Sequence, residues 1–471
     1  MISSNVNKIV IVANYFKGET YGLLGPQMAA TVIEEHASCE CVVAGITRED
    51  SPAAIKNALA GYFGVERPVI GFSSLGGRPD LFSLARELRE EGAFTLLAGP
   101  QADVDYTGEV GREAWPHRFK GLSDHFSLAL HGPAEAAIDL LRDLDGGKQG
   151  MIPGLLFHRE GTGVIHHARK SWDERFLRRV NWANLYRIEG GGLRPHPVRT
   201  GQVLQQIGCP HAARETWVNV DFPQPLARRN REPVRVLLRG CSFCDVAADK
   251  GYYGTLGLGT VLDQIRCLPE RPDGRKIPFE LINENALLSL PRLLRTTADA
   301  GIGLSQINLT LRADWLLKEE ERLREALGLA RTMGTRILLA SVGFESFDDG
   351  ILRNLNKGLR VGTNLDAIAL MRQLKVEFPD EWAYARSEGA VHGFIHPTPW
   401  DTEETWATIQ AVIQRHGLAE DILPDHSTPL IIHHASGLGD WIREVETREG
   451  IRYNRLGSII EWWEEIEKGS G

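Results

Sequence analysis

Arg336-Ile-Leu-Leu-Ala-Ser-Val-Gly343, running straight into Phe344-Glu345-Ser346, is the stretch whose reading decides the fold. An apolar run of strand length that ends in a glycine and then a carboxylate reads as a strand covered on both faces, with chemistry at its carboxyl end. Helix-like segments flank it. Beyond them lie further strand-like runs at Phe279 to Ile282 and Gln306 to Leu311, at Gln202 to Ile207, and at Val391 to Ile395 and Pro429 to His433. Six strands alternating with helices over residues 201–435 predict an open (β/α)6 partial barrel of the TIM type rather than a closed eight-stranded one. Functional side chains should then stand at the strand carboxyl ends.

Residues 1–150 carry a second strand-helix alternation. Ile9 to Ala13, Glu40 to Ala44, Pro68 to Ser73 and Phe94 to Ala98 read as strands, and Pro26 to Glu35, Pro52 to Tyr62, Pro79 to Glu91 and Ala134 to Leu144 as helices. The fold class is therefore α/β, with a doubly wound, Rossmann-like parallel sheet ahead of the barrel. Ligands of such sheets collect in the loops after the strands, here Asn14-Tyr15, Ser73-Ser74-Leu75-Gly76-Gly77, Gly99-Pro100-Gln101 and His131-Gly132-Pro133. Their small residues let backbone approach a bulky planar ligand. No GxGxxG follows the first strand, which argues against a dinucleotide. Residues 151–200 read as a hairpin and a linker, and 436–471 as a helical cap with an aromatic helix from Leu456 to Ile466.

The chain of 471 residues has a formal charge of -9, which disfavours nucleic-acid and anionic membrane partners and leaves a small-molecule substrate as the expectation. Six cysteines in a chain of this length do not form a disulfide framework. A close pair among them points to metal in a reducing compartment, the cytoplasm. No signal peptide, membrane-length apolar run or solenoid repeat is visible.

The chemistry-bearing residues are the split set Gly208-Cys209-Pro210-His211 and Arg239-Gly240-Cys241-Ser242-Phe243-Cys244-Asp245. Cys241 and Cys244 are spaced to face one metal centre, and three thiolates on a four-iron cluster leave one iron open to a small molecule. Cys209 is the third candidate, with His211 and Cys267 as substitutes. A buried, inert Cys209 beside a zinc-binding pair is the competing reading. The insertion 211–240 holds six arginines and no lysine, so it is either a lid over an anionic substrate or a solvated loop.

These residues resemble the cobalamin-dependent radical S-adenosylmethionine (SAM) enzymes, whose cysteines usually stand as CxxxCxxC with an aromatic residue in the last pair. Cys241-Ser-Phe-Cys244 matches that pair and Gly208-Cys209-Pro210 the opening, although Cys209 and Cys241 are 32 residues apart instead of four. Further matches are the acidic turn Asn283-Glu284, the turn Arg312-Ala-Asp314, Gly343-Phe-Glu345-Ser346 with Leu352-Arg-Asn-Leu-Asn356-Lys357-Gly358, and His396-Pro397-x-Pro399 followed by Asp401-Thr402-x-Glu404. In the first 150 residues, Ser73-Ser74, Ala98-Gly99-Pro100 and Gly132-Pro133-Ala134-Glu135 are similar to turns of that family's cobalamin-binding domain. No Asp-x-His-x-x-Gly is present to offer a histidine to cobalt.

The resemblance implies a 4Fe-4S cluster on Cys209, Cys241 and Cys244. It implies SAM held by Phe243, Asn283, Glu284, Arg312, Glu345, Ser346 and Pro397, and cobalamin among Asn14, Ser73, Ser74, Leu75, Gly99, Pro100, Gln101 and Gly132. Glu345 and Arg312 would supply the carboxylate and fixed cation that SAM needs. Arg312 is alternatively an ion pair with Asp314. Asp401, Thr402 and Glu404 read best as a helix start. The implied reaction is methylation of an unactivated carbon, with an external electron donor such as a flavodoxin or ferredoxin. A non-methylating cyclisation, ring contraction or rearrangement, and a degenerate cobalamin- or metal-binding sensor, are the alternatives.

Overall fold

The structure is a computed structural model that describes residues 6–73, 75–99, 101–115, 117–142, 144, 151–159, 163–169, 171–226, 232–244, 252–463 and 467–468. It divides into two compact units, 1–203 with 257–269, and 204–256 with 270–471.

In the first unit β1 (Lys8–Asn14), β2 (Glu40–Ile46), β3 (Val69–Ser73), β4 (Phe94–Ala98) and β5 (Leu128–Leu130) form a parallel core in the order β5-β4-β3-β1-β2. Helices Leu24–Ala37, Pro52–Phe63 and Pro79–Glu90 make the crossovers. Proline at the start of the last two costs no hydrogen bond, and Ser51 caps the second by accepting from the amide of Ala54 at 3.2 Å. Alternate residues Val10, Val12, Ile70 and Phe72 bury one face of the sheet with Leu81 and Leu84 of the third helix. The strand order reverses between β1 and β3, which makes the loops after them the place for a ligand.

The expected hairpin is β6 (Leu155–Arg159) with β7 (Gly163–His166), added antiparallel to β5. The expected linker is instead structured. Residues 182–197 supply β8 (Leu185–Glu189), parallel to β2, and β9 (Gly192–Pro195), antiparallel to β8. The Gly190-Gly191 turn between them has φ of 58° and 80°, the pair of positive values that a tight hairpin turn demands. Those glycines serve the turn rather than a flexible tether. Helix Leu258–Cys267 belongs to this unit, so Cys267 is not part of the unit that holds the other candidate ligands.

The chain leaves the first unit within β10 (Gly201–Leu204), which heads a six-stranded open sheet. Then β11 (Gln206–Gly208) turns away to pair antiparallel with β14 (Tyr252–Thr255). Between these two, β12 (Glu215–Val220) and β13 (Val234–Arg239) make an antiparallel hairpin. The sheet continues with β15 (Phe279–Ile282), β16 (Gln306–Leu311) and β17 (Arg336–Glu345), then β18 (Trp382–Ala383) and β19 (Gly393–Phe394), both parallel to β17. Among the described residues no closed barrel forms. The run 429–433 is not the sixth parallel strand: Ile432–His433 pairs antiparallel with Ile459–Glu461, which pairs in turn with Asn454–Leu456.

This corrects the expected C-terminal helix. Gly457, at φ 57°, turns the chain between two strands, and β-branched Ile459 and Ile460 suit the extended form. The helix of this region lies earlier, at Gly437–Glu449, with Ser436 as its cap. Among the described residues no helix is long and apolar enough to cross a membrane.

A buried histidine pins β17 to the chain ahead of β19. The amide of Val342 donates to His392 Nδ1 at 3.0 Å, so Nε2 carries the proton and donates to the carbonyl of Tyr384 at 2.8 Å. Burial holds the imidazole below its usual range, and the protonated ring would lose the Val342 bond. The folded form therefore resists protonation while the unfolded form takes it up. His392 stabilises fully above about pH 6.5 and progressively less below it. Urea midpoints of wild type and His392→Gln should differ most at pH 8 and converge toward pH 5.

Candidate functional site

The hairpin closes the split cysteine motif. Its register runs from Glu215 opposite Arg239 to Val220 opposite Val234, so its two ends lie side by side however long its tip. Cys209 precedes β12 and Cys241 follows β13. A Cβ on Gly240 would meet Cβ of Ala212 at 3.2 Å, which shows how closely the two halves pack. Burial pushes the thiols of both Cys209 and Cys241 up, and Cys241 lies close enough to Cys209 to add to the rise of its thiol. The Cys244 amide donates to the carbonyl of Cys241 at 3.2 Å, folding Cys241-Ser-Phe-Cys244 into a turn with Phe243 half-buried.

One segment, Asn354–Lys357, clamps the two halves. Ser242 donates from its amide to the carbonyl of Leu355 at 3.0 Å and from its hydroxyl to the carbonyl of Asn354 at 2.8 Å. Asn356 Nδ2 donates to the carbonyl of Gly240 at 2.7 Å, and the Asn356 carbonyl accepts from His211 Nε2 at 3.0 Å. Asn356 does this from a left-handed backbone, φ 47°, a conformation asparagine tolerates better than most. His211 is thus engaged as a strut, and burial keeps its ring neutral. Sequence reasoning quoted Asn356 within a run and gave it no role. Nothing in the spacing says that its side chain turns back to Gly240.

Arg312 joins this clamp to the thiols. It donates from Nη2 to the carbonyl of Lys357 at 2.6 Å, its Nη1 lies 4.0 Å from Cys241 Sγ, and its Nε pairs with Asp314 at 3.0 Å. The ion-pair reading of Arg312 is correct but incomplete. Lys357 and Glu345 form a buried pair at 2.8 Å, with side chains 7% and 12% exposed. Burial works against the Lys357 charge, yet Glu345 and then Cys241 outweigh it and hold the ammonium above its usual range.

Two glycines make room for that pair. A Cβ on Gly343 would lie 2.6 Å from Lys357 Nζ, and one on Gly393 would lie 2.7 Å from Glu345 Oε2. Glu345 itself sits at φ 61°, strained for a non-glycine residue, and its carbonyl accepts from Ile395 at 2.8 Å. Lys357 and Arg312 therefore put two fixed positive charges beside the Cys241 thiol. Both favour its thiolate, while burial disfavours it.

At the end of β15, Asn283 donates to Gln205 Oε1 at 2.7 Å, and the Glu284 amide donates to Gln206 Oε1 at 3.2 Å. The Glu284 side chain reaches solvent within a recess. Its surroundings raise its carboxyl above the usual range, burial first, with Lys357 and Arg312 opposing. Ser346 is fully buried and accepts from the Asp348 amide at 3.2 Å, so its hydroxyl serves the turn. Pro397 follows a cis peptide bond, and its carbonyl accepts from Leu430 at 3.0 Å. Thr402 caps helix Glu403–His416 by accepting from the Thr405 amide at 3.0 Å, which makes it a helix start as expected.

In the first unit the candidate loops converge at the strand carboxyl ends. Leu75 donates its amide to Gln101 Oε1 at 3.3 Å. Gly99, at φ 84°, sits so close to β3 that a Cβ would lie 2.6 Å from Ser73 Oγ. Ser74 and Pro100 lie outside the described residues. Asn14 is held by Arg78, which sequence reasoning missed. This buried guanidinium donates to Asn14 Oδ1 at 2.9 Å, to the carbonyls of Ile46 and Thr47 at 3.0 and 3.2 Å, and to both oxygens of Asp80. Gly132 stands apart from a flat floor, since a Cβ there would meet Arg169 Cγ at 2.7 Å. Its neighbour His131 is buried against His166, with ring centroids 4.6 Å apart.

A doubly wound parallel sheet followed by an open sheet of parallel strands is the fold that carries these residues. Solved structures share that fold. The cobalamin-dependent S-adenosylmethionine radical enzyme OxsB, with aqua-cobalamin and S-adenosylmethionine bound, superposes with a TM-score of 0.58 at 12% identity. Its apo, selenomethionine-labelled form gives 0.54 at 11%. Each match covers 97% of this chain, and the chain spans 64% of the length of OxsB. No protein-family model matches the chain, and no curated protein does.

Proposed function

We propose that this chain is a cobalamin-dependent radical SAM enzyme that methylates an unactivated carbon of a small molecule. The observation that carries the reading is the β12–β13 hairpin, which returns Cys209 to the Cys241–Cys244 turn beside Arg312 and Lys357. The donor set fits a cluster: three thiols, one turn, and two cations that offset the charge of thiolates. When bound, the cluster with SAM supplies a carbon-centred radical by one-electron reduction, and cobalamin supplies the methyl group.

The chain's own residues position and shield. Cys209, Cys241 and Cys244 would hold the cluster. Glu284 and Asn283 at the end of β15 offer oxygen acceptors toward the amino group of SAM, and Phe243 a half-buried edge for its adenine. Glu345, already neutralised by Lys357, shapes the floor rather than presenting a free charge. Small residues at Ser73, Gly76, Gly77 and Gly99, with Leu75 and Gln101, leave space for a corrin face, and Asn14 is oriented there by Arg78.

Anaerobic reconstitution with iron, sulfide and cobalamin, followed by electron paramagnetic resonance, tests the reading. Wild type should give a four-iron signal that SAM perturbs, and Cys209→Ala and Cys241→Ala should lose it. Methylated product should form with two equivalents of SAM consumed. A cluster indifferent to Cys209 would overturn the ligand set, and turnover without methylation would move the assignment to cyclisation or rearrangement.

A further inference from the structure

We propose that the start of helix Gly437–Glu449 is a positioning element of the cluster, which joins Asn354–Lys357 in holding the Cys241–Cys244 turn and favours the reduced state. This deepens the reading above and rests on the cysteines being cluster ligands.

Ser242, inside the turn, is fully buried, and each of its polar groups is engaged. Its amide and hydroxyl donate to the carbonyls of Leu355 and Asn354, while its own carbonyl accepts from the Leu438 amide at 2.8 Å. Leu438 stands in the first turn of the helix, so the bond uses one of the amides that a helix leaves without an internal partner. Gly437 makes the approach possible. A Cβ there would lie 3.0 Å from both Cβ and Cδ2 of Leu238 and 3.2 Å from the Ser242 carbonyl oxygen. Its φ is not in the left-handed region, so glycine serves the close approach alone. The apolar face of the helix seats it there. Leu438, Trp441, Ile442 and Val445 recur at helical spacing and are buried, as are Val234, Val236 and Leu238 of β13. Strand β13 ends two residues before Cys241, so one helix fixes both the approach to the turn and the turn itself.

Charge gives the contact a second effect. A helix start carries about half a positive charge, because its first amides point outward from the helix. The Ser436 hydroxyl meets the Gly439 amide and the Ser242 carbonyl meets that of Leu438, while the Gly437 amide has no partner among the described residues. Asp440, the acid of the first turn, is exposed and paired with Arg443. Reduction adds one negative charge to a cluster, so a positive helix end against the turn raises the share that is reduced. Arg312 and Lys357 act in the same direction from beside Cys241.

The test compares the reconstituted full chain with three altered forms. Gly437→Ala presses the helix off the turn. Exchanging Leu438 for its α-hydroxy acid turns one amide into an ester, which removes the donor to Ser242 and leaves the side chain intact. Val445→Ala weakens the same helix eight residues on, about 12 Å along its axis. Iron content, the midpoint potential from an electron paramagnetic resonance titration, the response of the signal to SAM and the urea midpoint are measured for each. At the wild-type midpoint potential, Gly437→Ala and the ester should lower the ratio of reduced to oxidised cluster about two- to five-fold, the size of a helix-end charge interaction. Both should also blunt the response to SAM. Val445→Ala should lower the urea midpoint and leave the potential and the SAM response as in wild type. Should Gly437→Ala fail to fold, the ester decides. An unchanged or raised potential in the ester would overturn the proposal, as would a shift in Val445→Ala equal to that of the other two, which would make the effect one of stability alone. A wild type that builds no reducible cluster would instead refute the cluster reading itself.

Discussion

Lys357→Met is expected to destabilise the second unit by about 3–5 kcal/mol, because it leaves the Glu345 carboxylate buried without its cation. The pair sits against Gly343 and Gly393 with side chains only 7% and 12% exposed, so water reaches the carboxylate poorly once the ammonium is gone. Lys357 also anchors Arg312 through its carbonyl, and methionine preserves that backbone contact, so the loss isolates the charge. Adding Glu345→Gln should recover much of the stability, since no uncompensated charge then remains. Urea denaturation of the two single variants and the double variant gives the coupling directly. If Lys357→Met unfolds at the wild-type midpoint, the carboxylate is hydrated and the account of the floor is wrong. Gly343→Ala should be nearly as damaging, because its Cβ would lie 2.6 Å from the Lys357 ammonium and force the pair apart.

Asn356→Ala should cost the protein most of its capacity to retain iron on reconstitution. The side chain supplies the bond to Gly240, and the backbone at φ 47° supplies the carbonyl for His211. Alanine loses the first, worth about 1 kcal/mol, and is strained by a further 1 kcal/mol or so in the second. Asn356→Gly removes the strain and keeps only the carbonyl, so it separates the two contributions. Both variants should lose iron if holding Gly240 in place matters. A further variant, with the hairpin cut back until Cys209 and Cys241 stand four residues apart, should not respond to Asn356→Ala, because the covalent chain then does the holding. Full iron content in both single variants would remove Asn356 from the positioning residues.

The parallel framework was readable because such strands are apolar end to end and stop at glycine or a polar turn, as β1, β3, β16 and β17 do. Short edge elements were not. β8 and β9 hide behind Gly190-Gly191-Gly192, which looks like a tether until its positive φ values assign it to a turn. The C-terminal strands hide in a run whose tryptophans and isoleucines fit either period. In the site, residue types were legible, and of the partnerships only the local one between Arg312 and Asp314 was. Cys209, Cys241 and Arg312 could be named, but a 32-residue gap in sequence says nothing of separation in space. The Glu345–Lys357 pair depends on Gly393, far along the chain, and the buried Arg78 carries no signal beyond its neighbour Asp80.

An antiparallel hairpin keeps its feet together whatever its length. The interval between the first and second cysteine is therefore a free variable, open to insertion and deletion without moving a single sulfur. A search pattern written with a fixed interval would pass over this chain and any other that lengthens the same loop. One written on the closing pair Cys241–Cys244, with Gly343-x-Glu345 and Asn356-Lys357-Gly358 downstream and the first cysteine allowed to float, would find them.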